Sequence, residues 1–161
     1  KTVLAFSNII EKIPEWDLVI IGYGEDEVPI KKYVADNITL KNKVKMLGQK
    51  EKEEIADELN KSAFLVFPSL HESFGLVIAE AMSCGVPVIV GNKTAPIEYV
   101  DEDCGLKIDA GDIQAISNAI LKMTQMYNLY DPYRIREKVI NRFGFANFGS
   151  RLNMIYSELL K

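Results

Sequence analysis

The sequence predicts an α/β fold, a doubly wound parallel sheet with helices on both faces. Three observations predict it. Short, continuously apolar runs recur, as in Leu18-Val19-Ile20-Ile21, Phe64-Leu65-Val66-Phe67 and Val86-Pro87-Val88-Ile89-Val90, which is how strands buried on both faces read. Stretches of helical period alternate with them, as βαβ units require. Two short strand-like stretches, 17–22 and 44–48, close on glycine at Gly22 and Gly48, where a strand would feed a loop.

Residues 2–12 place Val3, Leu4, Ile9 and Ile10 at helical spacing, and Ile13-Pro14 ends that helix. Residues 17–22 form a buried strand, 26–36 a weaker helix, 44–48 a short strand and 51–59 a charged amphipathic helix. The strand at 63–68 leads into a helix from about Ser73, with Gly85 at its C-terminus. Residues 86–90 are a further buried strand, with Pro87 near its start where proline is tolerated. Ala95-Pro96 opens a short helix. Residues 106–108 read as a brief edge strand, and helices near 112–125, 132–141 and 148–160 finish the chain. A doubly wound domain ordinarily opens on a strand, whereas this sequence opens on a helix and without a Met. The expectation is one domain over 1–161 whose first strand, and a second domain, lie upstream of Lys1.

At 161 residues the chain is long enough for a full core. A net charge of −4 with no basic cluster argues against nucleic acid as a partner. No run of 18 apolar residues spans a membrane, and there is no signal peptide pattern. Cys84 and Cys104 lie outside any CxxC or Cys/His cluster and read as reduced thiols of a cytoplasmic protein.

Ligands of parallel α/β sheets sit beyond the carboxyl ends of the strands. The loops there are 22–26, 48–50, 68–73 and 91–95. The third leads into a helix whose first N–H groups, at Phe74, Gly75 and Leu76, would face that crevice and favour an anion. Gly75 permits close approach of a ligand to the backbone. Ser73 is a helix cap or a ligand contact. Between Glu72 and Lys93 the only charge is Glu80, set among apolar residues. A helix here is expected to bury Glu80, whose carboxylate then needs a polar partner, and a ligand is one candidate. The plainer alternative is a surface Glu72 and a Glu80 satisfied by backbone or water. Other patterns are weaker. Asp101-Glu102-Asp103 reads as a solvated turn rather than a metal motif. Gly22-Tyr23-Gly24 lacks the third glycine of a dinucleotide fingerprint, since position 27 is Glu. The single histidine, His71, is expected to position Glu72.

Pro68-Ser69-Leu70-His71-Glu72-Ser73-Phe74-Gly75, then Glu80-Ala81-Met82, then Gly85-Val86-Pro87-Val88 resembles the signature of the retaining GT-B glycosyltransferases of family 4, the glycosyl transferases group 1. That signature has two Glu separated by seven residues. Weaker similarity extends over the chain, in Leu18 to Gly24, Val44 to Gly48 (with Met46 for Phe) and Ile155-Tyr156. The resemblance implies the Rossmann-like C-terminal, donor-binding half of a GT-B enzyme. It implies that Glu72, the catalytic candidate, meets hydroxyls of the donor sugar. The amides of Phe74, Gly75 and Leu76 would hold sugar or diphosphate, and Glu80 would bind the ribose diol. Met46 and Leu47 would line the base pocket, and Gly22 would let the chain pass close to the ligand. The family also uses an Arg and a Lys on the diphosphate, and Lys1 is not assigned that role.

The resemblance further implies transfer, with retention, from a UDP- or GDP-sugar to a glycan or lipid-linked acceptor held by a missing N-terminal domain, with polysaccharide biosynthesis as the setting. No metal or cofactor is expected, and the whole enzyme would be peripheral to the inner face of the membrane. Alternatives are a nucleotide-sugar-binding module inactive alone, and a nucleotide-sugar epimerase.

Overall fold

The computed structural model describes residues 1–160. The first half runs α1 (Thr2–Ser7), a 3-10 turn (Ile10–Lys12), β1 (Leu18–Ile21), α2 (Glu27–Asp36), α3 (Ile38–Lys43), β2 (Val44–Gly48), α4 (Lys52–Lys61) and β3 (Leu65–Phe67). Then come α5 (Leu76–Ser83), β4 (Val88–Gly91), a 3-10 helix (Ala95–Glu98), β5 (Gly105–Ile108), α6 (Ile113–Met126), a 3-10 turn (Tyr127–Leu129), α7 (Pro132–Phe143) and α8 (Phe145–Leu159). The α/β alternation is the one expected, and every strand pair is parallel.

Local departures have local causes. The expected helix over 2–12 stops at Ser7, and the chain tightens into i→i+3 bonds from Ile9 N to Phe6 O, Lys12 N to Ile9 O and Ile13 N to Ile10 O. Ile13, which precedes Pro14, then leaves the helical region at φ −134°. α3 went unpredicted because it has six residues. Its start is set by Asn37, whose side-chain oxygen accepts the amides of Thr39 and Leu40 at 3.1 Å each.

Helices cover both faces, and β4 shows how. Ile89 joins a core with Val3, Phe6, Ile116, Ile120 and Met123, drawn from α1 and α6. Its neighbours Val88 and Val90 join a second core with Ile78, Met82, Val100, Ile135 and Val139, drawn from α5, α7 and the segment between β4 and β5. Period-two alternation along one strand thus feeds two helical layers. α1 is tied to α6 by the buried Ser117 hydroxyl, which donates to the Ala5 carbonyl at 2.9 Å.

The strands form two sheets rather than one, β1-β2 and β3-β4-β5. β4, paired on both sides, is buried throughout, whereas β1 and β3 are only partly buried. β1 and β3 pair on one side only, and among the described residues no strand lies between them. Leu65 donates its amide to Pro87 O on the β4 side at 2.9 Å, so Val66 presents its amide to the opposite edge. Amide hydrogen exchange should therefore be much faster at Val66 than at Ile89. Equal protection at the two positions would show that β3 has a partner on that edge.

Tyr130 packs on both cores, and its hydroxyl is buried without a hydrogen-bond partner among the described residues. Tyr130→Phe should leave stability unchanged or raise it by up to about 2 kcal/mol in urea unfolding, because a desolvated, unpaired hydroxyl is removed. A loss of more than about 1 kcal/mol would mean that a buried water serves the hydroxyl.

Candidate functional site

The loop from β3 to α5 is stitched to its surroundings through the backbone. The Ser69 hydroxyl donates to His71 O at 2.9 Å, and Ala95 N donates to Glu72 O at 3.1 Å. Gly91, at the end of β4, lies so close to the Ser69 carbonyl that a side chain there would strike it. The loops after β3 and β4 therefore form one framework.

Within it, Glu72 turns back on the helix. Its Oε1 accepts the amide of Phe74 at 3.2 Å and that of Gly75 at 3.0 Å. Gly75 then takes φ 78°, ψ 57°, and α5 begins at Leu76. This corrects two expectations. The helix starts three residues later than Ser73, and Ser73 is exposed and caps nothing, because the longer Glu72 side chain reaches the amides first. It also changes the state of the predicted anion-binding amides. Those of Phe74 and Gly75 are held by Glu72, while those of Leu76 and Val77 take no protein hydrogen bond among the described residues.

A second correction concerns Glu80. α5 buries Ile78, Ala79, Ala81 and Met82, but Leu76 is 69% exposed and Glu80 is exposed as well. The two are four residues apart and share one face of the helix. The apolar run around Glu80 suggested burial on most sides, Glu80 included, yet α5 is covered from two sides and leaves this stripe to solvent. Open to solvent, the carboxylate is not desolvated, so its charge by itself demands no ligand. Glu80, Leu76 and Phe74 line one side of a groove of about 560 Å³, with Ile55, Ala56 and Leu59 of α4 and Val139, Ile140 and Phe143 of α7 as its apolar walls. Lys52 stands on the same groove.

Below the site, α5 ends as Gly85 predicts. Gly85 N donates to Met82 O at 2.9 Å and Val86 N to Ala81 O at 3.0 Å, with Gly85 at φ 77°. This is the Schellman arrangement.

Tyr99 is the residue that the sequence did not single out. It is 5% exposed, and its hydroxyl donates to Phe74 O at 2.7 Å with Gly75 O at 3.2 Å. Its ring packs against Phe74 and Phe143, with centroids 6.0 and 5.2 Å away. Burial, and then the charge of Glu72, push the hydroxyl up to about 12 against the pull of Arg142, so it stays a proton donor at neutral pH. An aromatic polar residue in the short segment after β4 was the available signal, but its partners lie 24 and 25 residues away.

The remaining candidates lie on the other sheet. Gly22 donates its amide to Gly48 O at 2.8 Å, takes φ 121° and faces open space. Met46 points into the core and Leu47 is 36% exposed. No hydrogen bond among the described residues joins this group to Glu72, Gly75 or Glu80. His71 is exposed, and its ring makes no hydrogen bond to Glu72 among them. The Asp101 carboxylate takes the Asp103 amide at 3.2 Å and pairs with Lys138, as a turn residue does. Lys1 Nζ donates to Ala110 O and Gly111 O at 3.3 Å each. Cys84 and Cys104 are free thiols, and burial raises Cys104 to about 11. No helix among the described residues is long and apolar enough to cross a membrane.

Residues 1–139 match the family model for glycosyl transferases group 1. The chain is 36% identical over 110 residues to O-antigen chain mannosyltransferase B of Escherichia coli, covering 68% of this chain and 29% of that protein. It is 30% identical to the UDP-Gal:alpha-D-GlcNAc-diphosphoundecaprenol alpha-1,3-galactosyltransferase of Escherichia coli, over 97% of this chain and 41% of that protein. Among solved structures, sucrose-phosphate synthase from Thermosynechococcus elongatus superposes with a TM-score of 0.81 at 25% identity, over 99% of this chain and 42% of that one. The chain spans less than half the length of each of these proteins. With a parallel α/β architecture, Glu72 in the loop before α5 and Glu80 within it, the chain belongs to the glycosyl transferases group 1, enzymes of the GT-B fold.

Proposed function

We propose that the chain is the donor-binding part of a retaining glycosyltransferase and holds a UDP- or GDP-sugar at the N-terminus of α5. The observation that carries this is the arrangement at residues 72–80. The unpartnered amides of Leu76 and Val77 suit a diphosphate. Glu72 stands beside them with a carboxylate that can accept from sugar hydroxyls, and Glu80 one turn on is open to a ribose diol. The group comprises Glu72, Ser73, Phe74, Gly75, Leu76 and Glu80. Gly22, Met46 and Leu47 would meet the base from the other sheet, through a backbone that Gly22 keeps open.

Two further features belong to the proposal. The gap between β1 and β3 takes one parallel strand, and an acceptor domain faces the carboxyl ends of the strands. The acceptor is a glycan or a lipid carrier, as the name of the galactosyltransferase relative suggests. Catalysis then rests on positioning the sugar and on stabilising the departing diphosphate, with Glu72 contacting the sugar. The chain alone binds without transferring. Sugar transfer by the 161-residue chain to any acceptor would overturn that last statement.

Titration calorimetry of the chain with UDP and with GDP tests the assignment. Saturable binding of one in preference to the other is expected, and the absence of heat with both would overturn it. Glu80→Gln refines the test. Charge-assisted hydrogen bonds to a diol contribute about 1.5–3 kcal/mol against about 1 for neutral ones, so affinity for the preferred nucleotide should fall about tenfold. Because Glu80 is exposed, stability should stay within about 0.5 kcal/mol of the parent. A large drop in melting temperature with affinity unchanged would end the ribose assignment.

A further inference from the structure

The peptide joining Phe74 to Gly75 is held at both ends. Its N–H donates to Glu72 Oε1 at 3.0 Å, and its carbonyl accepts the Tyr99 hydroxyl at 2.7 Å. A peptide unit is planar, so a partner fixed on the oxygen also fixes where the nitrogen points. The same hydroxyl is 3.2 Å from the Gly75 carbonyl, whose peptide carries the unpartnered Leu76 N–H. One proton is shared between two oxygens, the nearer taking the larger share.

Such an anchor is needed here. Gly75 has φ 78°, and glycine populates both signs of φ about equally, so the 74–75 peptide has a second orientation within easy reach. In that orientation the Gly75 N–H turns away from Glu72. The Gly75 carbonyl is secured by Ile78 N and Ala79 N at 2.9 and 3.2 Å, but the Phe74 carbonyl has only Tyr99 among the described residues. Tyr99 cannot follow a turning peptide. Its ring is closed in by Phe74 and Phe143, and the Arg142 guanidinium stands 6.0 Å from its centroid.

We propose that Tyr99 is a positioning residue for the donor: its hydroxyl holds the 74–75 peptide in one orientation and so fixes the turn that aims the Leu76 amide at the diphosphate. This rests on the donor reading given under Proposed function. Tyr99 touches no substrate and acts through the backbone alone.

Tyr99→Phe removes the hydroxyl and keeps the ring. Three quantities are measured on the 161-residue chain: amide hydrogen exchange without ligand, affinity for UDP and GDP by calorimetry, and thermal unfolding. Exchange at Gly75 should accelerate by about tenfold while the β4 amides keep their rates, and affinity for the preferred nucleotide should fall about fivefold to tenfold, the value of one neutral hydrogen bond. Unchanged exchange at Gly75, or unchanged affinity, overturns the proposal. So does a lower melting temperature with Gly75 and the β4 amides accelerating together, since that marks a packing role only. Absence of binding by the parent chain defeats the donor reading instead, and Gly75 exchange still decides whether Tyr99 fixes the peptide.

Discussion

Gly75→Ala is expected to lower stability by about 2–4 kcal/mol and to reduce nucleotide affinity by at least about a hundredfold. Two penalties combine. An L-residue at φ 78° costs about 1–2 kcal/mol of backbone energy. The new methyl carbon would also lie 2.8 Å from Ile78 Cδ1, 2.8 Å from Pro96 Cγ and 3.1 Å from the Tyr99 hydroxyl oxygen. The isoleucine end can swing aside. The Pro96 ring cannot, because it sits buried in the 3-10 helix Ala95–Glu98. Overpacking of this kind typically costs about 1–3 kcal/mol. The affinity loss is larger than stability alone requires, because the turn aims the amides that meet the ligand. Gly22→Ala is the control for stability alone, for a methyl there would meet nothing within 4 Å and only the positive φ of 121° opposes it. Urea unfolding of both variants and calorimetry of Gly75→Ala check this. A Gly75→Ala chain within about 0.5 kcal/mol of the parent would show that the turn is not held as described.

The contrast between these glycines shows what the sequence carries and what it does not. Gly75 was legible as a site of close approach because it precedes a helix after a strand-ending loop. Its neighbours were not, since Pro96 and Tyr99 come from beyond the next strand. Periodicity and glycine punctuation located the strands well, because a buried parallel strand is nearly all apolar and stops at a turn. The division into two sheets was not legible, since half-burial of β1 and β3 depends on which strand lies beside which. Glu80 failed for a related reason. Mean hydropathy of the run around it suggested burial, whereas exposure is decided by which stripe of α5 the packing of α4 and α7 leaves open. Ser73 failed as a cap at shorter range. Propensity favours serine as a cap, but Glu72 reaches the same amides once Gly75 adopts the left-handed turn.

Glu72→Ala should move two affinities in opposite directions. In the unliganded chain the Glu72 carboxylate occupies the Phe74 and Gly75 amides, at 3.2 and 3.0 Å. A diphosphate that approaches the start of α5 must either displace this carboxylate or sit beside a like charge. Removing it frees two donors and one repulsion, so affinity for UDP or GDP without sugar should rise about tenfold. A nucleotide sugar gains the same relief but loses the acceptor for its sugar hydroxyls. Hydrogen bonds to a charged group contribute about 1.5–3 kcal/mol each, and two of them outweigh the relief, so affinity for the nucleotide sugar should fall about tenfold. The preference for sugar-bearing over bare nucleotide then shifts by about a hundredfold. Loss of the amide acceptor also costs about 1–2 kcal/mol of stability, as loss of a helix cap does. Glu72→Gln keeps an acceptor oxygen and should show half measures of each effect. Competition calorimetry with UDP against UDP-glucose, and GDP against GDP-mannose, reads the preference directly. If both affinities fell together, Glu72 would be acting only as the brace of its own turn, and its contact with the sugar would have to be given up.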